Sequence, residues 1–174
     1  MQRRPRPATP VRHSPFTVRS APAAPSLIDL LYTFELAGVL ESHAVARAAA
    51  AAHHDLQAAR GVFADLERAI EARHLSGWAA LEIQLHRALN DQGGNLVLAA
   101  MAERTLREGL TACPILPPDV LRALHAQHGE ILRCVEAGDA DAAMQYTHAH
   151  VLLLRDAVVG ARPATSSAGI RLHS

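Results

Sequence analysis

From Ser26 onward the chain repeats one pattern: apolar side chains return every three or four positions, in stretches bounded by residues that start or stop helices. That period follows the 3.6 residues of a helical turn and departs from the two-residue alternation of a strand. Ser26 is a good N-cap with Asp29 three residues on, so a long amphipathic helix is expected from about Leu27 to about Ala52. Asp55 to Arg73 reads as a second helix with Leu56, Val62, Phe63, Leu66 and Ile70 inward, and Ser76 to about Asn90 as a third. Gly93-Gly94 interrupts the pattern, and Asn95 caps a fourth helix reaching about Leu110. Cys113-Pro114 and Pro117-Pro118 form a rigid connection to a fifth helix, capped by Asp119 and ended by Gly138. Asp139 caps the last, which runs to about Val159. Aromatics make up only 3% of the chain, while hydrophobic residues reach 49%, mostly Ala and Leu. That core must come from helices packed on helices. The expected fold is all-α, an antiparallel bundle of about six helices in one domain over residues 26–160.

The ends read differently. Residues 1–25 are rich in Pro, Arg, Ser and Ala without periodicity, as is a disordered arm or linker, and residues 161–174 form a small, polar, flexible tail. The first twenty residues hold five arginines and no acid, which leaves twelve basic residues against seventeen acidic ones in the remainder. An acidic globule repels a phosphate backbone, so specific DNA binding by this chain alone is not expected. The two cysteines, Cys113 and Cys134, fit no zinc or redox spacing and are expected to be reduced thiols in or near the core of a cytoplasmic protein. Arg3-Arg4 is not followed by an apolar segment of the kind a secretion signal needs, and no aliphatic run is long enough to span a bilayer.

The polar residues that fall on apolar faces carry the functional reading. In the third helix Trp78, Leu81, Leu85 and Leu89 define the stripe; Glu82 lies within it and His86, one turn on, at its edge. In the fifth, His128 sits amid Val120, Leu121, Leu124, Ile131, Leu132 and Val135. In the last, Ala142, Tyr146, Ala149, Leu153 and Ala157 are expected to face inward with His150 among them. A buried carboxylate needs a compensating partner. A divalent metal would supply one: Glu82 and His86 at i, i+4 give two ligands from one helix, and His128 and His150 two more from neighbouring helices. The alternative is that these are core histidines satisfied by other groups. His125 and His148 fall nearer polar faces and are expected to be solvated, and His53 and His54 to be cap or turn residues.

These same segments resemble a known family. Glu82-Ile83-Gln84-Leu85-His86-Arg87-Ala88-Leu89 followed by Gly94-Asn95 resembles the D-x-x-F-H-x-x-L … G-N signature of the FadR C-terminal (FCD) domain of GntR-type transcription regulators. Gln127-His128-Gly129-Glu130-Ile131-Leu132 continuing to Ala137-Gly138-Asp139 resembles its E-H-x-x-I-L … A-G-D segment. Asp141-Ala142-Ala143 leading to Ala149-His150-Val151 resembles its closing A … H-L. The opening helix, Phe34-Glu35-Leu36 through Leu40-Glu41, is similar to the family's first, and the likeness runs over about residues 26–158. In many members the Asp and three His of these motifs bind a divalent metal that helps hold a small organic-acid effector. The resemblance therefore implies Glu82, His86, His128 and His150 as ligands, with zinc the first expectation and nickel or manganese next. It also implies a homodimer and no enzymatic activity.

Three departures stand out. Glu82 takes the place of the usual Asp, and Ala37 takes the place of an Arg that typically pairs with the effector's carboxylate. The family's winged helix-turn-helix has only about 25 residues in which to precede the domain, so a truncated or free-standing sensor is expected, with Pro15-Phe16-Thr17-Val18-Arg19 as a remnant of the wing. Two other functions compete: a helical-bundle metalloenzyme using the same three His and Glu, and a purely structural helical partner. The di-iron version of the enzyme needs paired Glu-x-x-His motifs, and only Glu71-Ala72-Arg73-His74 has that form.

Overall fold

The computed structural model describes residues 25–53, 55–111 and 113–162. The expected arm up to Ala24, with its Pro15–Arg19 segment, His54, and the tail from Pro163 lie outside the described residues. Within them the chain forms α1 (Leu27–Ala49), α2 (Gln57–Glu71), α3 (Trp78–Asn90), α4 (Leu96–Leu110), α5 (Pro118–Ala137) and α6 (Ala140–Gly160), with single 3-10 turns at Leu75–Gly77 and Asp91–Gly93. No strand occurs among the described residues.

The helix starts follow from local chemistry. Ser26 Oγ accepts the Asp29 N–H at 3.1 Å while Ser26 N donates to Asp29 Oδ2 at 3.2 Å, a reciprocal capping box. Asn95 Oδ1 accepts from Leu98 N at 3.1 Å and Asp139 Oδ1 from Ala142 N at 3.0 Å. Asp119 is not the cap of α5. The N-cap is Pro117, in extended conformation, and Pro118 occupies the first turn. A proline at that place brings a helical φ and needs no N–H partner, while it drives the residue before it into the extended region. Gly138 closes α5 at φ 71° and Gly94 precedes α4 at φ 69°, the left-handed conformation that only glycine adopts readily. Helices α1 and α2 end two to three residues earlier than the apolar pattern suggests.

Helix α1 is the hub. It packs along α6 and α4 and also meets α3 and α5, while α5 packs on α6 and α2 on α3 and α5. Phe34, Leu66, Leu85, Leu106, Leu124 and Leu154 are fully buried at the contacts. Gly93 lets the turn before α4 touch α1: a Cβ there would stand 2.9 Å from the Ala44 carbonyl oxygen.

The inward face of α6 differs from expectation. The buried stripe is Ala143, Thr147, His150, Val151, Leu154 and Val158, whereas Tyr146 is 39% exposed. The helix is turned by about one residue, roughly 100°. Leu152, Leu153 and Leu154 put apolar surface on several sides, so the contacts with α1 and α5 choose the face. His150 is buried in either setting; Thr147 is tolerated because its hydroxyl donates to the Ala143 carbonyl at 2.7 Å. His125 is also not simply solvated: it is half-buried, stacked on Phe63 with ring centres 4.0 Å apart, and burial lowers its pKa. His148 is exposed and His53 sits in an exposed bend after α1, both as expected.

Candidate metal centre

Glu82 and His86 come from successive turns of α3, His128 from the middle of α5 and His150 from the middle of α6. All four are at most 1% exposed. The structure therefore brings together the four residues singled out from the sequence, and one ligand atom from each lies within 4.8 Å of all the others. Glu82 Oε1 is the pivot. It is 2.9 Å from His150 Nε2 and 3.3 Å from both His86 Nε2 and His128 Nε2. The three rings crowd one another, with centroids 4.2 to 5.6 Å apart.

Only the His150 contact is a well-formed hydrogen bond. Glu82 Oε2, His86 Nε2 and both ring nitrogens of His128 are buried without a partner. So many polar atoms buried without a partner are costly. A tetrahedral ion with bonds of about 2.1 Å has ligand–ligand edges of about 3.4 Å, and the three Glu82–His separations already approach that value. The donor set of three imidazoles and one carboxylate suits zinc, nickel or manganese. By distance, burial and chemistry these residues fit a divalent ion.

The electrostatics of the cluster are uneven. Burial acts to raise Glu82, but the field of His128 and the imidazoles around Oε1 outweigh it and hold the carboxyl well below its usual range. Burial lowers His128, and lowers His150 to about 4, so both are neutral near pH 7. Burial would lower His86 as well, yet the adjacent Glu41 and then Glu82 raise it to about 10. Without metal, His86 is thus the proton-bearing imidazole of the three.

Glu41 is the residue that the sequence analysis did not single out. It lies on α1, fully buried, and its Oε2 accepts from His86 Nδ1 at 3.0 Å and from Asn90 Nδ2 at 2.7 Å. A signal was available. Glu41 interrupts the stripe Phe34, Ala37, Ala44, Val45 and Ala48 as Glu82 interrupts that of α3. The other candidates stay apart: Ala37 is buried on α1, Glu71 and His74 are exposed at the end of α2, and both cysteines are free thiols, with burial raising Cys113 to about 11.

Fold and site together define an all-α bundle built around a buried cluster of three histidines and a glutamate. The FCD domain model matches residues 32–153, and the chain belongs to the FCD domain family. Among solved structures, Streptococcus agalactiae GntR is similar in fold, with a TM-score of 0.63 at 20% sequence identity, over 72% of this chain and 57% of that one. The chain thus spans little more than half the length of that protein. No curated protein matches it in sequence.

Proposed function

We propose that this chain is the ligand-sensing domain of a GntR-type transcription regulator, and that it works through a divalent metal held by Glu82, His86, His128 and His150. The convergence of those four side chains from three helices, with Glu82 Oε1 within 3.3 Å of each imidazole, carries the reading. Zinc is the first expectation and nickel or manganese the next. When bound, the ion would neutralise Glu82, satisfy the unpaired Nε2 atoms of His86 and His128 and offer a positive centre to a small organic acid. No arginine or lysine is buried beside it among the described residues, so the ion would be the main attraction for an anionic effector.

A sensor needs a surface that transmits the change. Helix α1 meets α3, α5 and α6, which carry the ligands, and on its opposite side it exposes Ile28, Tyr32, Leu36 and Val39. This apolar stripe supports pairing with a second copy, so that tightening the centre would shift α1 at the dimer surface. No helix among the described residues is long and apolar enough to cross a membrane. The domain is read as a binding module and not as an enzyme.

The test is metal analysis of protein purified without a histidine tag. About one divalent ion per chain is expected, with loss in a His128→Ala, His150→Ala double variant. Unchanged metal content in that variant would remove the assignment. Calorimetric titration of the zinc-loaded protein with small mono- and dicarboxylic acids then tests the effector: heat that disappears in the double variant supports it, and no heat with any acid rejects it.

A further inference from the structure

Helix α1 provides none of the four ligands, yet it sends one acidic side chain to the back of one of them. Glu41 Oε2 lies between two donors from successive turns of α3: the His86 Nδ1–H at 3.0 Å and the Asn90 side-chain amide at 2.7 Å. All three residues are buried to 1% exposure or less, so no solvent competes for these bonds. The other edge of the same imidazole, Nε2, faces Glu82 Oε1 at 3.3 Å and has no well-formed hydrogen bond of its own.

We propose that Glu41 is a positioning residue for the metal centre: by accepting Nδ1–H it fixes the His86 tautomer and ring so that the Nε2 lone pair is directed at the ion. This inference rests on the metal reading above. A neutral imidazole carries one N–H, and the nitrogen without it is the ligand. The opposite tautomer would set a bare Nδ1 lone pair against Glu41 Oε2 and leave Nε2 blocked by a proton. Asn90 holds the oxygen from its other side, which keeps it from swinging away from His86. A carboxylate behind an imidazole also makes it a stronger donor to a cation. Through this contact α1 is tied to the centre in two steps, Glu41 to His86 and His86 to the ion, although it touches the ion itself nowhere.

The prediction is a graded loss of zinc affinity. Glu41→Ala leaves Nδ1–H and the Asn90 amide without an acceptor and should weaken zinc binding by about 10- to 100-fold, the usual effect of removing such an outer partner. Glu41→Gln keeps an oxygen acceptor but not the charge and should fall between native and Glu41→Ala. Val158→Ala, which loosens the core near the end of α6, roughly 12 Å along that helix from His150, should keep the native dissociation constant within about threefold, so general destabilisation is separated from positioning. Affinity is read by competition against a chromophoric zinc chelator, with circular dichroism to confirm folding. The tautomer is read directly in native protein labelled with 15N on histidine: His86 should carry its proton on Nδ1 in the zinc-loaded state. That measurement stands even where a variant does not fold. A native His86 protonated on Nε2, or Glu41→Ala binding zinc within about threefold of native, overturns the relay while leaving the metal centre in place. Native protein that binds no zinc, or binds it equally well without His128 and His150, overturns the metal reading and the relay with it.

Discussion

Zinc binding should expel close to one proton at pH 7.5, and that proton should come from His86. The structure supplies the count. His86 is raised to about 10 in the metal-free protein, so it enters binding protonated and must release the Nε2 proton while keeping Nδ1–H on Glu41. His128 and His150 are lowered by burial, the latter to about 4, and enter neutral. A set of three ordinary histidines near pKa 6.5 would release only a few tenths of a proton at this pH. Because one proton is displaced, apparent affinity should climb about tenfold per pH unit between pH 7 and 9. At free zinc about 100 times the dissociation constant, mass action stabilises the fold by roughly 2.7 kcal/mol. For a chain of this size that is a rise in Tm of about 5–11 °C over protein in chelator. The rise should be much smaller at pH 5, where protons compete for the ligands. Calorimetric titrations in buffers of different ionisation enthalpy give the proton count, and scanning calorimetry gives the shift. A count near zero at pH 7.5 would refute the assignment of the proton to His86. The same Tm with zinc and with chelator would refute the centre itself. His125→Ala and His148→Ala should leave the response intact.

In metal-free protein, the depressed His150 gives stability that is lost as pH falls from about 6.5 toward 4, and the raised His86 gives stability that is present below about 6.5 and lost as pH rises toward 10. Urea unfolding at pH 5, 6.5 and 9 should therefore show a maximum near 6.5 in chelator and a maximum at higher pH with zinc; identical profiles would contradict this. Gly93→Ala should lower stability by about 1–3 kcal/mol, because the new Cβ meets a backbone oxygen of α1 at 2.9 Å; a Tm within a degree of native would show that the turn yields freely. Light scattering should give a dimer, and Tyr32→Glu with Val39→Glu should give a folded monomer; a native monomer at tens of micromolar would count against the α1 surface. Binding to short DNA duplexes should be weak, indifferent to sequence and absent in moderate salt, as gel shift or anisotropy would show.

Much of this architecture is local. The capping box at Ser26, the caps at Asn95 and Asp139 and the left-handed Gly138 are settled by atoms within a few residues, so six helices and their approximate ends can be read from the amino-acid order. Local chemistry misled at Asp119, where two prolines took over the start of α5. Glu82, His86 and His128 were legible because a charged or polar group within a narrow apolar stripe is conspicuous. The orientation of α6 was not legible: apolar residues lie on several of its faces, and its contacts with α1 and α5 break the tie. Nor could periodicity show that Glu41, 45 residues from His86 in the chain, would reach its Nδ1. A helical wheel tells which way a side chain points from its own axis. Only the packing of one axis against another decides what it meets, and here that decides which imidazole holds a proton and which nitrogen faces the centre.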